Sequence, residues 1–313
     1  VRATRPYRVP TDRRLYLVGG KGGVGKSTAA SAIAAWLAAD GHGPVLLMST
    51  DPAGSLGDLF GTGVGAEPVA APGLPGLHLR QVEPAAGWEE FRTRYRDEVE
   101  ALFRELLGPG LSADADREVV ARLVDLAPPG VDEVMALSDV IDLLDGAEYN
   151  ALVLDTAPTG HLLRLLEMPS VALDWSHAVL RLLLKYREVV GLGGTAERVL
   201  SFARLVRALR ERLADRAHTW VAAVALPEAL SIPETERMVP RLAALGLAPE
   251  LLLVNRLLTA ADEVVPERAD AARLLLEIPG VPAAAGAPAL PEGPRGADDL
   301  LRFAASWLCL HAD

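Results

Sequence analysis

Leu15-Tyr16-Leu17-Val18, then Gly19, then Gly20-Lys21-Gly22-Gly23-Val24-Gly25-Lys26-Ser27, is the stretch that decides the fold. The apolar run reads as a buried strand, and the glycines that follow it at once read as a tight loop. Ser27–Asp40 then has helical periodicity, with Ala30, Ile33, Ala34 and Leu37 on one face. The loop between strand and helix fits the Walker A pattern of Gly, four residues, Gly, Lys and Ser or Thr. Gly20, Gly22, Gly23 and Gly25, with Val24 among them, let backbone N–H groups converge on phosphate oxygens without Cβ obstruction. The helix N-terminus adds its positive dipole end. Lys26 is expected to pair with the β- and γ-phosphates, and Ser27 to place its hydroxyl on Mg²⁺. The chain has 31 basic residues but only three lysines, Lys21, Lys26 and Lys185, so two of the three fall in this loop. A tight phosphate cradle takes a compact ammonium where the broad fork of arginine does not fit.

Working outward, Val45–Met48, Ala151–Leu154, Trp220–Leu226 and Leu251–Val254 are further short apolar runs. Uniformly apolar strands alternating with helices imply a parallel sheet covered on both faces. The expected fold class is therefore α/β, a P-loop NTPase with a mostly parallel sheet flanked by helices. Two stretches differ. From Trp88 to Leu107, apolar residues fall at Trp88, Phe91, Tyr95, Val99, Leu102 and Leu106, and Asp116–Leu126 adds another amphipathic helix. Between Ala151 and Trp220, Trp175, Val179, Leu182, Tyr186 and Val189 form one stripe, and Val199, Phe202, Val206, Leu209 and Leu213 another. These are expected to be insertions at about 86–135 and 168–217 that form a helical subdomain on a single domain spanning 13–313. Their apolar stripes are either the packed core of that subdomain or a groove for a client. Val1–Asp12 reads as a loosely held arm. Ala283–Gly296 reads as a loop, followed by a final helix over Ala297–Leu310.

Composition sets limits. The 313 residues carry 42 acidic and 31 basic side chains, a net charge of −11, which argues against a surface for nucleic-acid phosphates or a polybasic membrane anchor. The single cysteine, Cys309, excludes an intrachain disulfide and a cysteine-rich metal site, and reads as a small buried hydrophobe. Ala222–Leu226 and Leu251–Val254 are too short to span a bilayer, and nothing reads as a signal peptide, so a cytoplasmic protein is expected.

Two carboxylates belong at the edge of the sheet where ligands of α/β folds bind. Asp155 ends the run Ala151–Leu154, the usual place for a residue that holds Mg²⁺ directly or through water. Asp51 follows Val45–Met48 in Ser49-Thr50-Asp51-Pro52-Ala53. It can orient or deprotonate an attacking water, or it can form an Asx turn ahead of Pro52.

With these motifs in place the sequence resembles the arsenite-pump and tail-anchored-protein-targeting ATPase family over most of its length. Gly20–Thr28 matches that family's deviant Walker A loop, in which a lysine at the place of Lys21 reaches across a dimer to the partner's nucleotide. Without a dimer Lys21 would be a solvated loop residue. Ser49–Asp58 resembles the family's first switch, with Gly54 where the family often has His. Asp155-Thr156-Ala157-Pro158-Thr159-Gly160-His161-Leu162-Leu163-Arg164-Leu165-Leu166 resembles its second switch throughout. Pro129–Glu133 and Pro227–Arg237 resemble further family segments, and Val254-Asn255-Arg256 resembles the segment whose Asn recognises adenine. Asn255 read by itself could equally be a strand-end turn residue. The stretch from Pro288 to Gly296 resembles the loop over the base.

The resemblance implies a homodimer that binds ATP and Mg²⁺ at facing surfaces, closes on ATP and opens on hydrolysis. Lys26, Ser27 and Asp155 would bind Mg·ATP, with Thr28, Asn255 and Pro288 completing the nucleotide site. Asp51 would act on the water, and Lys21 would complete the partner's site. The output would be binding and release of a hydrophobic protein segment, or the driving of a membrane anion transporter subunit. A partition or positioning role fits less well with the acidic charge. The chain departs from its relatives in having no Cys-x-x-Cys pair for zinc, too few cysteines for soft metalloids or an iron–sulfur cluster, and only four scattered methionines, Met48, Met135, Met168 and Met238.

Overall fold

The computed structural model describes residues 1–50, 55–82, 143–155, 200, 204, 207, 208 and 210–312. Its strands are β1 (Arg2–Pro6), β2 (Leu15–Gly20), β3 (Val45–Ser49), β4 (Val69–Ala71), β5 (Leu74–Gln81), β6 (Ala151–Asp155), β7 (Thr219–Ala225), β8 (Leu251–Leu258), β9 (Ala284–Pro288) and β10 (Leu308–His311). They form one ten-stranded sheet in the order β1-β10-β9-β8-β7-β2-β6-β3-β5-β4. The seven strands from β9 to β5 run parallel, and β4, β10 and β1 add antiparallel edges.

The centre follows from the apolar runs. Every residue of β2, β3, β6 and β7 is buried, as expected of strands covered on both faces. Alternate residues, among them Tyr16, Val18, Leu47, Val153, Trp220 and Val224, join one core cluster with Ile33 and Leu37 of the helix α1 (Lys26–Ala39), Leu300 of the helix α5 (Gly296–Ala305) and Trp307 just after it. Within it Tyr16 and Trp220 meet at 5.8 Å between ring centroids. Helix α1 is buried well beyond one face, from Ala29 through Ala35 and at Leu37, because it lies between the sheet and α5. Its small alanines allow that close approach. A short helix α2 (Ser55–Phe60) follows β3, while α3 (Ser231–Ala244) packs on β7 and α4 (Ala269–Leu276) on β8.

The ends of the chain differ from the sequence expectation. The N-terminal arm is strand β1, paired with β10; Tyr7 N–H donates to the Trp307 carbonyl at 2.8 Å, and Arg8 lies 4.8 Å from the Trp36 ring centroid. The expected loop Ala283–Gly296 contains β9, and the final helix stops at Ala305 so that Leu308–His311 can close the sheet edge. Cys309 is accordingly half-buried rather than buried, since it alternates with the inward-facing Leu308 and Leu310 on that edge.

The chain divides into two compact units: one of Val1–Glu83, Asp142–Leu163 and Arg212–Asp313, and one of Pro84–Ile141 and Arg164–Glu211. The helical stripes at Trp88–Leu107, Asp116–Leu126 and Trp175–Val189 lie outside the described residues. Among the described residues no helix is long and apolar enough to cross a membrane.

Candidate nucleotide site

The parallel strands end together, and their C-terminal ends carry the polar residues. Gly20 ends β2, Asp155 ends β6, and Asn255 follows Val254, the last residue of β8 paired with β7. The loop from Gly20 to Gly25 leaves the middle of the sheet and enters α1 directly.

Two glycines of that loop are fixed by space. A Cβ on Gly20 would stand 2.5 Å from the Val224 carbonyl oxygen on the neighbouring strand and 3.2 Å from Lys26 Cγ. Gly25 caps α1 at φ 94°, and a Cβ there would stand 2.4 Å from Asn255 Nδ2. Gly22 and Gly23 are exposed, whereas Val24 is buried and anchors the loop. The Gly25 carbonyl accepts from Ala29 N–H at 2.9 Å, the first turn of α1.

Lys26 is 4 % exposed, and its Nζ donates to the Lys21 carbonyl at 3.4 Å, so the ammonium lies folded against its own loop. Ser27 and Thr28 are half-buried in the first turn of α1. Lys21 points elsewhere: its Nζ is 3.1 Å from Glu234 Oε1 on α3, with both side chains more than a third exposed. Asp155 is fully buried, paired in register with Val18 on one side and Ser49 on the other. Ser49 Oγ donates to Asp155 Oδ2 at 3.0 Å, and Thr50 N–H donates to the Asp155 carbonyl at 3.1 Å. That carboxylate is in register with Val18 of β2, two residues before Gly20. Oxygen donors of this kind suit a hard divalent cation such as Mg²⁺. Asp51 lies outside the described residues, immediately after Thr50.

Asn255 is 7 % exposed, and its amide faces the phosphate loop. Nδ2 donates to the Val24 carbonyl at 2.9 Å, and Oδ1 accepts from Arg256 N–H at 2.9 Å. Pro288 is half-buried at the end of β9, where it pairs with Leu258. Sequence reading missed Glu234 and Ser49 as partners of site residues. Both sit in segments already notable by resemblance, Pro227–Arg237 and Ser49–Asp58, but their contacts are made across the fold.

The model of the family described as anion-transporting ATPase matches residues 13–273. A protein of Halobacterium salinarum provisionally named an arsenical pump-driving ATPase is 38% identical over 244 residues, covering 78% of this chain and 35% of that protein. ATPase GET3B of Arabidopsis thaliana is 35% identical over 278 residues, 79% of this chain and 65% of that one. ATPase GET3 of Malassezia globosa is 32% identical over 255 residues, 77% of this chain and 71% of that one. This chain thus spans about a third of the Halobacterium protein and just under two thirds of the Arabidopsis protein. A glycine loop shaped by contacts to β7 and β8, a buried lysine within it and a buried aspartate beside it are features of a phosphate site; with the match over 13–273, the chain belongs to the anion-transporting ATPase family.

Proposed function

We propose that this chain is a Mg-dependent ATP hydrolase that works in the cytoplasm as a homodimeric switch, coupling hydrolysis to binding and release of a hydrophobic protein client. The observation that carries it is the loop Gly20–Lys26, with its buried lysine folded onto the loop's own carbonyl. Lys26 holds the terminal phosphates by moving its ammonium from the Lys21 carbonyl onto them. The N–H groups of the loop and of the first turn of α1 bind the remaining oxygens. Ser27 and Asp155 would hold Mg²⁺, which when bound neutralises phosphate charge. Asp51 orients the attacking water and receives its proton. Asn255 and Pro288 flank the base. Lys21 completes the partner subunit's site, which requires it to leave Glu234.

A second reading, an ATPase subunit that energises a membrane anion transporter, is favoured by the family's description and by the name of the Halobacterium relative. The two share every residue of the hydrolytic site. The client reading draws on the lack of thiolates for a metalloid.

One experiment tests the hydrolytic core and the dimer together. Wild-type subunits are mixed with subunits carrying both Lys21→Ala and Asp51→Asn, and the heterodimer is isolated by two affinity tags. With Lys21 acting across the dimer, the wild-type site lacks its partner's lysine, and the heterodimer is inactive. About half of wild-type activity, as expected of independent sites, would refute the cross-dimer role. Asp51→Asn alone should keep Mg·ATP and lose hydrolysis by about 10²-fold or more. Material trapped in that state should co-purify with a protein bearing an exposed apolar segment. A co-purifying integral transporter would instead establish the second reading.

A further inference from the structure

Asn255 sits where the strand pattern of β8 breaks. Pairing between β8 and β9 shifts register between Val254 and Leu258, and the exposed Arg256 takes φ 56°. A non-glycine residue in the left-handed region is strained and persists only where its surroundings hold it. Here Asn255 Oδ1 accepts from Arg256 N–H, and the Arg268 guanidinium donates to the Arg256 carbonyl. The bulge therefore turns the Asn255 amide out of the sheet toward the phosphate loop.

What the amide does there follows from peptide planarity. In a trans peptide the C=O of one residue and the N–H of the next point in opposite directions. With the Val24 carbonyl bound to Asn255 Nδ2, the Gly25 N–H faces away from β8. With the Gly25 carbonyl bound to Ala29 N–H, the Lys26 N–H is fixed in the same manner. Two consecutive peptides are thus oriented, one by Asn255 and one by the first turn of α1, with each N–H directed away from the bonded carbonyl. The approach is so close that a Cβ on Gly25 would overlap the Asn255 amide at 2.4 Å.

We propose that Asn255 is a positioning residue for the phosphate loop: its amide holds the Val24–Gly25 peptide in the orientation that accepts phosphate, before and independently of any contact with the base. The proposal rests on the reading of Gly20–Lys26 as a phosphate loop. It separates the polyphosphate from the base as the ligand part that Asn255 governs.

The test uses the full chain as wild type, Asn255→Ala and Asn255→Leu, the last keeping a similar volume and removing the donor without adding a charge. Mg·tripolyphosphate, which has no base, and adenosine, which has no phosphate, are titrated by calorimetry alongside Mg·ATP. Loss of a buried hydrogen bond that orients a binding group should weaken tripolyphosphate about tenfold in both variants. Unchanged tripolyphosphate binding, with only ATP or adenosine weakened, would make Asn255 a base contact alone and overturn the proposal. Should the variants not fold, the wild type decides. The chain has two asparagines, Asn150 and Asn255, so ¹⁵N-asparagine labelling gives two side-chain amides, told apart with Asn150→Ser. The Asn255 amide should show one slowly exchanging proton without nucleotide, retained when tripolyphosphate is added. Exchange of both protons at the rate of a free amide would overturn the proposal. A wild type that binds neither tripolyphosphate nor ATP would instead refute the functional reading, with the exchange result still deciding whether Asn255 holds the loop.

Discussion

Gly25→Ala tests the shape of the loop through folding stability, with no reliance on activity. Gly25 has φ 94°, so an alanine there pays the left-handed penalty of about 1–2 kcal/mol. Its methyl would also stand 2.4 Å from Asn255 Nδ2, and the amide must swing off the Val24 carbonyl. Breaking that buried bond and leaving its partners unsatisfied costs about 1–3 kcal/mol. The sum is about 2–5 kcal/mol, a large share of a typical domain stability of about 5–15 kcal/mol. Urea denaturation followed by tryptophan fluorescence reads it, since Trp220 and Trp307 are both buried in this unit.

The double variant sharpens the reasoning. Asn255→Ala by itself should cost about 1–3 kcal/mol through the same lost bond. If the two effects were independent, Gly25→Ala with Asn255→Ala would cost about 3–8 kcal/mol, but the bond can be lost only once, so a coupling of about 1–3 kcal/mol is expected. The double variant should therefore be about as stable as Gly25→Ala alone. Costs that add to within about 0.5 kcal/mol, or a Gly25→Ala cost below about 1 kcal/mol, would refute the contact between this glycine and this asparagine.

Lys26→Ala should abolish hydrolysis and weaken nucleotide binding about tenfold or more, and Lys26→Arg should fare little better, because a buried side chain packed against Gly20 leaves no room for a planar fork; near-normal turnover in either sinks the phosphate-loop assignment. Burial in the core, with the negative charge of Asp12 adding to it, pushes the Tyr16 phenol up to about 12, and its hydroxyl donates to the Pro10 carbonyl at 2.8 Å. The neutral phenol is then favoured by the fold, so its contribution is intact below pH ~10 and lost as the pH rises toward about 12. Thermal midpoints should fall more steeply over that window in wild type than in Tyr16→Phe, and parallel declines would refute it. Arsenite, antimonite and zinc should neither stimulate the ATPase nor stabilise a dimer, since the chain has one cysteine; stimulation by micromolar antimonite, or stoichiometric zinc in purified protein, would overturn this.

The centre of the fold was legible because strands buried on both faces must be apolar throughout, as β2, β3, β6 and β7 are. The flanks were not, for separate reasons. Strand β5 runs through Pro75, Gly76, His78 and Arg80 with alternating burial, so it offers no apolar run. Strand β9 is Ala-Ala-Gly-Ala-Pro, a composition that reads as loop; yet a Cβ on Gly286 would meet Leu258 and Leu310 at 3.2 Å, so those leucines fill the space its own side chain would take. Strand β1 is a mostly exposed edge whose order depends on β10, at the far end of the sequence. The phosphate loop is local and was read residue by residue. The bond from Asn255 to Val24 spans 231 positions, and nothing in either segment announces it.

The two lysines of the loop differ in a way that bears on the proposed dimer. Lys26 is almost fully buried, and its ammonium is met by a loop carbonyl, a neutral acceptor that a phosphate readily replaces. Lys21 is held by a full negative charge, Glu234, but both partners of that pair are more than a third exposed. Exposed pairs contribute about 0–1 kcal/mol, because water competes for both ends and salt screens them. Glu234 therefore parks Lys21 without locking it. In the proposed dimer, a polyphosphate brought up by the second subunit would carry more negative charge than one carboxylate and would meet Lys21 where water is being excluded, which would strengthen the attraction. Such an exchange would favour closure only while the phosphates are there. When they leave, Glu234 is still on the same chain to take the lysine back, so one residue in α3 can make the return to the open state as automatic as the closing.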